Sequence, residues 1–190
     1  MSFYRVVRDI CDVFLRLAFR VERIGIENIP LDGSCLVCAN HISNYDPVLI
    51  GATRKREFYF LAKEELVKIP VIGHIIKRLN VIPIKRGAGD LGAMRKSIEA
   101  LKDNKALVMF PEGTRSKDGK LKEGKDGVSL IIKKAQCVVV PCAIIGKYKL
   151  FKKIKVVYGK PIDMSTYMDE KDNKVITKVI MGEIKLLMDK

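Results

Sequence analysis

Apolar residues recur along the chain with two spacings, one typical of helices and one typical of short buried strands. In the first 20 residues, arginines and aspartates surround one apolar helical stripe formed by Phe3, Val7, Ile10, Phe14 and Leu17. This pattern predicts an amphipathic helix. Two positions for it remain open, docked on the core of the protein or lying in a membrane interface, because an apolar face opposite arginines suits both.

From residue 34 onward, short apolar runs alternate with helical patterns, which is typical of an α/β domain. We predict strands at residues 34–39, 58–62, 81–84, 105–110, 138–145 and 154–158. Helices are predicted at residues 47–52, 71–79, 91–103, 128–135 and about 174–188. The expected fold is therefore α/β, with a mixed, mostly parallel sheet flanked by helices and an amphipathic helix at the N-terminus.

The composition supports a folded domain, since 48% of the 190 residues are hydrophobic and 31% are charged. The formal net charge is +14 at pH 7. Residues 163–190 hold six acidic and five basic side chains, so the preceding residues carry about +15. This charge predicts an anionic partner, and nucleic acid, anionic lipid, a phosphorylated substrate and an acidic carrier protein all remain open.

The sequence gives no direct sign of a membrane span or of a disulfide framework. No uninterrupted apolar stretch reaches about 18 residues. The cysteines number five, and no secretory signal pattern precedes them, so we expect a reducing cytosolic compartment. Cys35 and Cys38 lie three apart in a predicted strand and therefore face opposite sides, which argues against a shared metal.

The first candidate site follows the strand predicted at residues 34–39. His41 has a side-chain pKa suited to proton transfer near neutral pH, and Asp46 is a candidate to fix its tautomer. The two side chains meet only if the residues between them form a turn, which Ser43 favours. A structural interpretation is also open, in which Asp46 caps a helix that begins at Pro47 and His41 has no chemical role.

Two further strand ends carry groups suited to an anion. In the segment F-P-E-G-T-R-S at residues 110–116, Gly113 lets backbone amides approach a ligand and Arg115 matches phosphate oxygens. The alternative is an ordinary turn with a surface ion pair between Glu112 and Arg115. Arg86 and Lys63 end two other predicted strands, where a solvated cation is the simplest interpretation of each one alone.

Taken together, these segments resemble the glycerolipid acyltransferase family. Its four motifs are an N-H-x4-D block, a strand that ends in arginine, an F-P-E-G-T-R-S block and a V-P block. They occur here in order at residues 40–46, 80–86, 110–116 and 140–143, and the resemblance covers roughly residues 30–162. In the second block, Asn80 and Pro83 replace the glycine and the aromatic residue often found there.

The resemblance implies a general-base mechanism without an acyl-enzyme. His41 is expected to take the proton from a glycerol hydroxyl as the oxygen attacks the thioester carbonyl of acyl-CoA or acyl-carrier protein, and Asp46 is expected to orient it. The acceptor phosphate is expected to contact a set of residues on neighbouring loops, namely Gly113, Thr114, Arg115, Arg86 and Lys63. Glu112 is expected to support its loop or to contact the acceptor.

The resulting expectation is a 1-acylglycerol-3-phosphate acyltransferase at the cytoplasmic face of the cell membrane, peripheral or monotopic. Residues 1–28 are assigned to an amphipathic membrane-association segment, and residues 29–190 to the acyltransferase domain. The expected partners are anionic membrane lipids and acyl-CoA or acyl-carrier protein, without a cofactor or nucleic acid. Glycerol 3-phosphate or another lysophospholipid as acceptor stays open, as does a non-catalytic basic module that binds membrane or nucleic acid.

Overall fold

The structure, a computed structural model, describes residues 2–53, 56–85 and 90–189. Its helices are α1 (Phe3–Ala18), α2 (Asp46–Gly51), α3 (Glu64–Val67), α4 (Ile72–Lys77), α5 (Leu91–Lys102), α6 (Gly127–Ala135) and α7 (Asn173–Met188). Its strands are β1 (Arg20–Ile24), β2 (Cys35–Ala39), β3 (Phe58–Lys63), β4 (Val81–Ile84), β5 (Ala106–Met109), β6 (Val138–Gly146) and β7 (Lys153–Tyr158).

The described strands form one sheet in the order β1-β7-β6-β2-β5-β3-β4. Strands β6, β2, β5, β3 and β4 run parallel, whereas β7 is antiparallel to β6 and β1 is parallel to β7. The predicted mixed, mostly parallel α/β sheet is thereby confirmed. Because β2 lies between β5 and β6, the loops that leave the carboxyl ends of these three strands meet on one side of the sheet, which we call the carboxyl-end side.

Helices cover both faces of the sheet, and β2 shows why. All of its residues are buried, with Cys35, Val37 and Ala39 on one face and Leu36 and Cys38 on the other. Helices α1 and α2 pack on the first face, and α5, α6 and α7 pack on the second. A continuous apolar run suits a strand in this position because it has no solvent side.

Two elements were not among the predictions. Strand β1 lies within the residues assigned to the N-terminal segment, yet it pairs with β7 along its whole length and so belongs to the sheet. Its sequence R-V-E-R-I contains charged side chains, which a central strand excludes, so it lacks the usual pattern of a strand. An edge strand tolerates such side chains. The short α3 begins directly after Lys63. Its four residues are too few to show the apolar spacing from which a helix is predicted.

Helix α1 crosses one face of the sheet, and its apolar stripe points away from the core. The hydroxyl of Tyr4 accepts from the backbone N–H of Phe58 at the start of β3, and Leu15 is buried in the core at the other end. The stripe itself is exposed at Ile10 and Leu17, and at Phe3 and Phe14 as well. The helix is therefore docked on the core, as in the first of the two open positions, but through a face other than the predicted stripe.

Strand β4 forms the outer edge of the sheet on the side away from β1. It contains Pro83, which is exposed and pairs in register with Ala62 of β3. Proline fits an edge strand because the backbone N–H that it lacks is not needed by a further strand.

Candidate active site

The loop between β2 and α2 brings His41 and Asp46 into contact. Nδ1 of His41 lies 2.7 Å from Oδ2 of Asp46. The predicted turn is present, since the Asp46 N–H donates to the Ser43 carbonyl and the Tyr45 N–H donates to the Ser43 hydroxyl. The chain therefore reverses between the two residues, which a continuous helix would hold apart.

Asp46 is fully buried, and its carboxylate is surrounded by donors. Oδ2 also accepts the backbone N–H groups of Ile42 and Ser43, each at 2.7 Å. Oδ1 accepts the hydroxyl of Tyr148 at 2.7 Å. Asp46 is the first residue of α2, and Tyr45 occupies the cap position. The Asp46 side chain does not cap the helix, because it turns back and accepts from the loop. Four groups of the protein therefore hydrogen-bond to this one buried carboxylate.

These contacts fix the tautomer of His41. Because the Asp46 carboxylate can only accept, Nδ1 of His41 carries the proton and donates it, which leaves the lone pair on Nε2. The ring of Phe110 stacks on the imidazole with centroids 4.1 Å apart and planes 18° apart. His41 keeps 18% of its side chain exposed. It is therefore oriented by its neighbours and accessible to a substrate.

Glu112 joins the loop after β5 to the loop after β2. It is 3% exposed, and Oε1 accepts the backbone N–H of His41 at 2.7 Å while Oε2 accepts that of Lys122 at 3.1 Å. Burial raises the pKa of this carboxyl, and the two hydrogen bonds oppose the rise. The sequence left two roles open for Glu112, and this geometry favours support of the loops.

The rest of the loop after β5 faces solvent. Gly113 has φ +68, and a Cβ added there would lie 2.9 Å from Cε of Lys125. Thr114 and Arg115 are exposed, so their side chains are free to meet a ligand. The backbone remains fixed, because the N–H of Ser116 donates to the carbonyl of His41 at 2.7 Å.

The two other predicted cations have different outcomes. Lys63 ends β3, the strand next to β5, and so lies on the carboxyl-end side of the sheet. Arg86 lies outside the described residues. Among the residues that are described, no three His, Cys, Asp or Glu side chains cluster as metal ligands. Cys35 and Cys38 are buried on opposite faces of β2, as expected.

Sequence reasoning missed two residues of the site. Tyr148 follows β6 and reaches Asp46 only because β6 lies beside β2 in the sheet. Lys122 donates from Nζ to the carbonyl of Arg115 at 2.8 Å and lies 3.4 Å from the Thr114 hydroxyl. The V-P block just before Tyr148 was the only local signal for the first. Nothing near Lys122 distinguished it from the other lysines.

A family model described as Acyltransferase matches residues 20–145, a range that includes β2, β5, nearly all of β6 and both loops of the site. The chain belongs to the acyltransferase family. This assignment confirms the family resemblance that the four motifs carry.

Two relatives of the chain carry the same enzyme name. The chain is 30% identical over 173 residues to a 1-acyl-sn-glycerol-3-phosphate acyltransferase of Brassica napus, covering 83% of this chain and 50% of that protein. It is 27% identical over 171 residues to the Bacillus subtilis enzyme of the same name, covering 86% and 84%. The chain thus spans half of the plant protein and most of the bacterial one.

A solved structure shares the architecture. The crystal structure of the 1-acyl-sn-glycerophosphate acyltransferase PlsC from Thermotoga maritima superposes with a TM-score of 0.77 at 30% identity. The match covers 98% of this chain and 82% of that one, so it includes α1 as well as the sheet. The fold of the acyltransferase family therefore extends over nearly the whole chain.

Proposed function

We propose that this acyltransferase moves a fatty acyl chain from acyl-CoA or acyl-carrier protein to the sn-2 hydroxyl of 1-acyl-sn-glycerol 3-phosphate, forming phosphatidic acid. The observation that carries the proposal is the 2.7 Å contact between His41 and Asp46, beside a loop that exposes Thr114 and Arg115. The names of the Brassica napus and Bacillus subtilis relatives support the choice of acceptor.

In the proposed reaction, Nε2 of His41 takes the proton of the acceptor hydroxyl while the oxygen attacks the thioester carbonyl. The buried carboxylate of Asp46 stabilises the imidazolium that forms. Collapse of the tetrahedral intermediate breaks the carbon–sulfur bond, and the imidazolium returns its proton to the departing thiolate. The acyl group passes directly to the acceptor, so neither residue becomes covalently modified.

The acceptor phosphate would bind at the exposed part of the loop after β5. Arg115 offers the planar fork that matches phosphate oxygens, and Lys122 places a second cation 3.4 Å from the Thr114 hydroxyl. Because Gly113 has no Cβ, a ligand can approach the backbone beside these groups. Lys63 at the neighbouring strand end adds positive charge, and Arg86 remains a prediction.

The proposed location is the cytoplasmic face of a membrane, with α1 lying in the interface. Its exposed stripe would enter the acyl boundary, and the positive charge of the chain would attract anionic headgroups and the acidic donor. No helix among the described residues has the length and apolar character of a membrane span.

The test uses the two histidines of the chain. Purified His41→Ala and His74→Ala proteins would be assayed with 1-acyl-sn-glycerol 3-phosphate, glycerol 3-phosphate and other lysolipids, each with acyl-CoA and acyl-carrier protein. We expect His41→Ala to lower kcat by about 1,000-fold, whereas His74→Ala, an exposed change on α4, keeps the wild-type rate. Full transfer by His41→Ala would refute the mechanism, and no product from 1-acyl-sn-glycerol 3-phosphate would refute the acceptor.

A further inference from the structure

The loop between β6 and β7 carries an exposed apolar tip that the reaction does not use. Leu150 and Phe151 are 68% and 67% exposed, so two thirds of each residue is accessible to solvent. Residues 147–152 otherwise contain Tyr148, which contacts Asp46, and three lysines. An adjacent leucine and phenylalanine this accessible to water are unfavourable unless they have a partner.

The tip is fixed in place by its backbone. The N–H of Phe151 donates to the carbonyl of Ala18 at the end of α1, and the N–H of Arg20 donates to the carbonyl of Lys152. Phe151 adopts φ +60, a left-handed conformation that is costly for a residue with a Cβ. The fold therefore holds the two apolar side chains outward despite a local conformational cost.

The tip continues the exposed stripe of α1. Leu17, the stripe residue nearest the end of that helix, is 72% exposed and precedes the Ala18 carbonyl that Phe151 contacts. Exposed basic side chains surround the junction, namely Arg20, Lys147, Lys149, Lys152 and Lys153. An apolar surface bordered by cations matches an anionic lipid surface, which offers acyl chains and headgroup phosphates at adjacent depths.

We infer that residues 147–152 form a second membrane contact, in which Leu150 and Phe151 enter the acyl boundary of an anionic bilayer and the lysines bind its headgroups. The inference rests on the proposed function, because it extends the membrane position proposed for α1. The same loop carries Tyr148 against Asp46, so this contact places the carboxyl-end side of the sheet at the bilayer surface. A 1-acylglycerol phosphate then reaches His41 without leaving the membrane.

Single-tryptophan variants test the contact directly, since the chain has no tryptophan. Phe151→Trp places an indole on the tip, and Leu31→Trp places one at the opposite edge of the sheet, where Leu31 is 61% exposed. With phosphatidylcholine vesicles containing a quarter phosphatidylglycerol, we expect a blue shift and quenching by brominated acyl chains for Phe151→Trp alone. An unshifted Phe151→Trp on vesicles that carry the protein would overturn the inference.

A loss-of-binding pair gives the magnitude. Leu150→Ser with Phe151→Ser should weaken flotation with these vesicles by about tenfold or more. The matched control, Leu31→Ser with Leu186→Ser, changes two equally exposed leucines away from the tip and should bind as the wild type does. Equal binding by both double variants would contradict the inference. So would binding of the tip only to a soluble acidic protein.

A charge pair separates headgroup attraction from apolar insertion. Lys149→Gln with Lys152→Gln should weaken binding to the anionic vesicles by about tenfold and leave binding to pure phosphatidylcholine nearly unchanged. Identical losses on both vesicle types would contradict the lysine part of the inference. Transfer by the wild type to acceptor dispersed in detergent is measured separately, so failure of the proposed reaction is distinguished from failure of this contact.

Discussion

The loops that leave β2 and β5 meet on the carboxyl-end side of the sheet, but they hold their polar groups in opposite ways. In the first loop, backbone and side-chain donors converge on the buried carboxylate of Asp46. In the second, Glu112 is buried, whereas Thr114 and Arg115 extend into solvent. In the proposed mechanism, the part that transfers the proton is formed before the substrate binds, and the part that binds the phosphate is open to solvent.

The difference follows from what each part has to do. A general base needs a fixed tautomer and a fixed direction, which buried hydrogen bonds supply. A binding site for a dianionic phosphate needs hydrogen-bond donors that have no protein partner until the ligand binds. Such donors cost little free energy only when they are exposed to solvent. Substitutions in the first loop should therefore act on kcat, and substitutions in the exposed half of the second on KM.

The largest effect is expected for Asp46→Asn. The amide presents an N–H₂ group among donors, so it repels a neighbour or reverses the His41 tautomer. We expect kcat to fall by about 1,000-fold or more and the free energy of unfolding to fall by about 2 kcal/mol. Steady-state kinetics and urea unfolding measure the two changes. Asp103→Asn, an exposed change after α5, is the control, and an unchanged kcat would remove Asp46 from the proposed mechanism.

Glu112→Gln should give the next largest effect. The amide keeps one acceptor for the backbone N–H groups of His41 and Lys122 and places its own donor against the other. We expect a loss of about 1–3 kcal/mol in unfolding free energy and a fall of about 100-fold in kcat/KM as His41 shifts. A kcat/KM loss with unchanged stability would instead indicate direct contact with the acceptor.

The pH dependence of the free energy of unfolding tests the effect of burial on the Glu112 carboxyl. Its folded pKa is raised above the ordinary value of 4.5, so the ionised carboxyl is disfavoured in the folded state. The stability of the wild type relative to Glu112→Gln should therefore be greatest below pH 4.5 and should decline as pH rises through the folded pKa. Urea unfolding of both proteins across this range measures the decline, and a rise over the same range would contradict it.

Arg115→Gln should act on binding alone. Loss of a charge-assisted contact with the acceptor phosphate should raise KM by about tenfold to thirtyfold with little change in kcat. Stability should not change, because the side chain is exposed. Arg95→Gln on α5 removes the same charge elsewhere and controls for the overall field. Equal KM shifts in both variants would show that Arg115 has no specific contact with the acceptor.

Tyr148→Phe should produce the smallest change. It removes one donor from Asp46 and leaves the ring in place, so kcat should fall by about fivefold. The Asp46 carboxylate would then have one hydrogen-bond donor fewer and would hold the His41 ring less firmly, so the loss should appear in kcat rather than in KM. Tyr45→Phe alters a ring 5.6 Å away and should leave kcat unchanged. An unchanged kcat for Tyr148→Phe would show that its hydroxyl has no part in positioning Asp46.

The sequence predicted the central strands and the contact between His41 and Asp46 because both depend on local signals. Strand β2 is a continuous apolar run, and His41 follows it directly. Ser43 favoured the turn that brings Asp46 back. Strand β1 was missed since its charged residues suit only an edge, and an edge position depends on which strands lie beside it.

Tyr148 and Lys122 were missed for a related reason. Tyr148 reaches Asp46 across 102 positions of sequence, through the pairing of β6 with β2. No local period encodes that strand order. Lys122 is one lysine among many, and its contact with Arg115 depends on how the segment between β5 and α6 folds back over the loop. The sequence therefore predicts a site where its residues form one continuous motif. It does not predict a contact that depends on the order of the strands or on the path of a long loop.

Pro83 departs from the family pattern of the second motif, and its position at the open edge of β4 has a consequence for the protein in concentrated solution. An uncovered parallel strand is a template on which another chain can add a strand and so polymerise. Proline interrupts the row of hydrogen-bond donors that such growth requires. We therefore expect the residue that weakens the match to the motif to hinder edge-to-edge aggregation of the sheet.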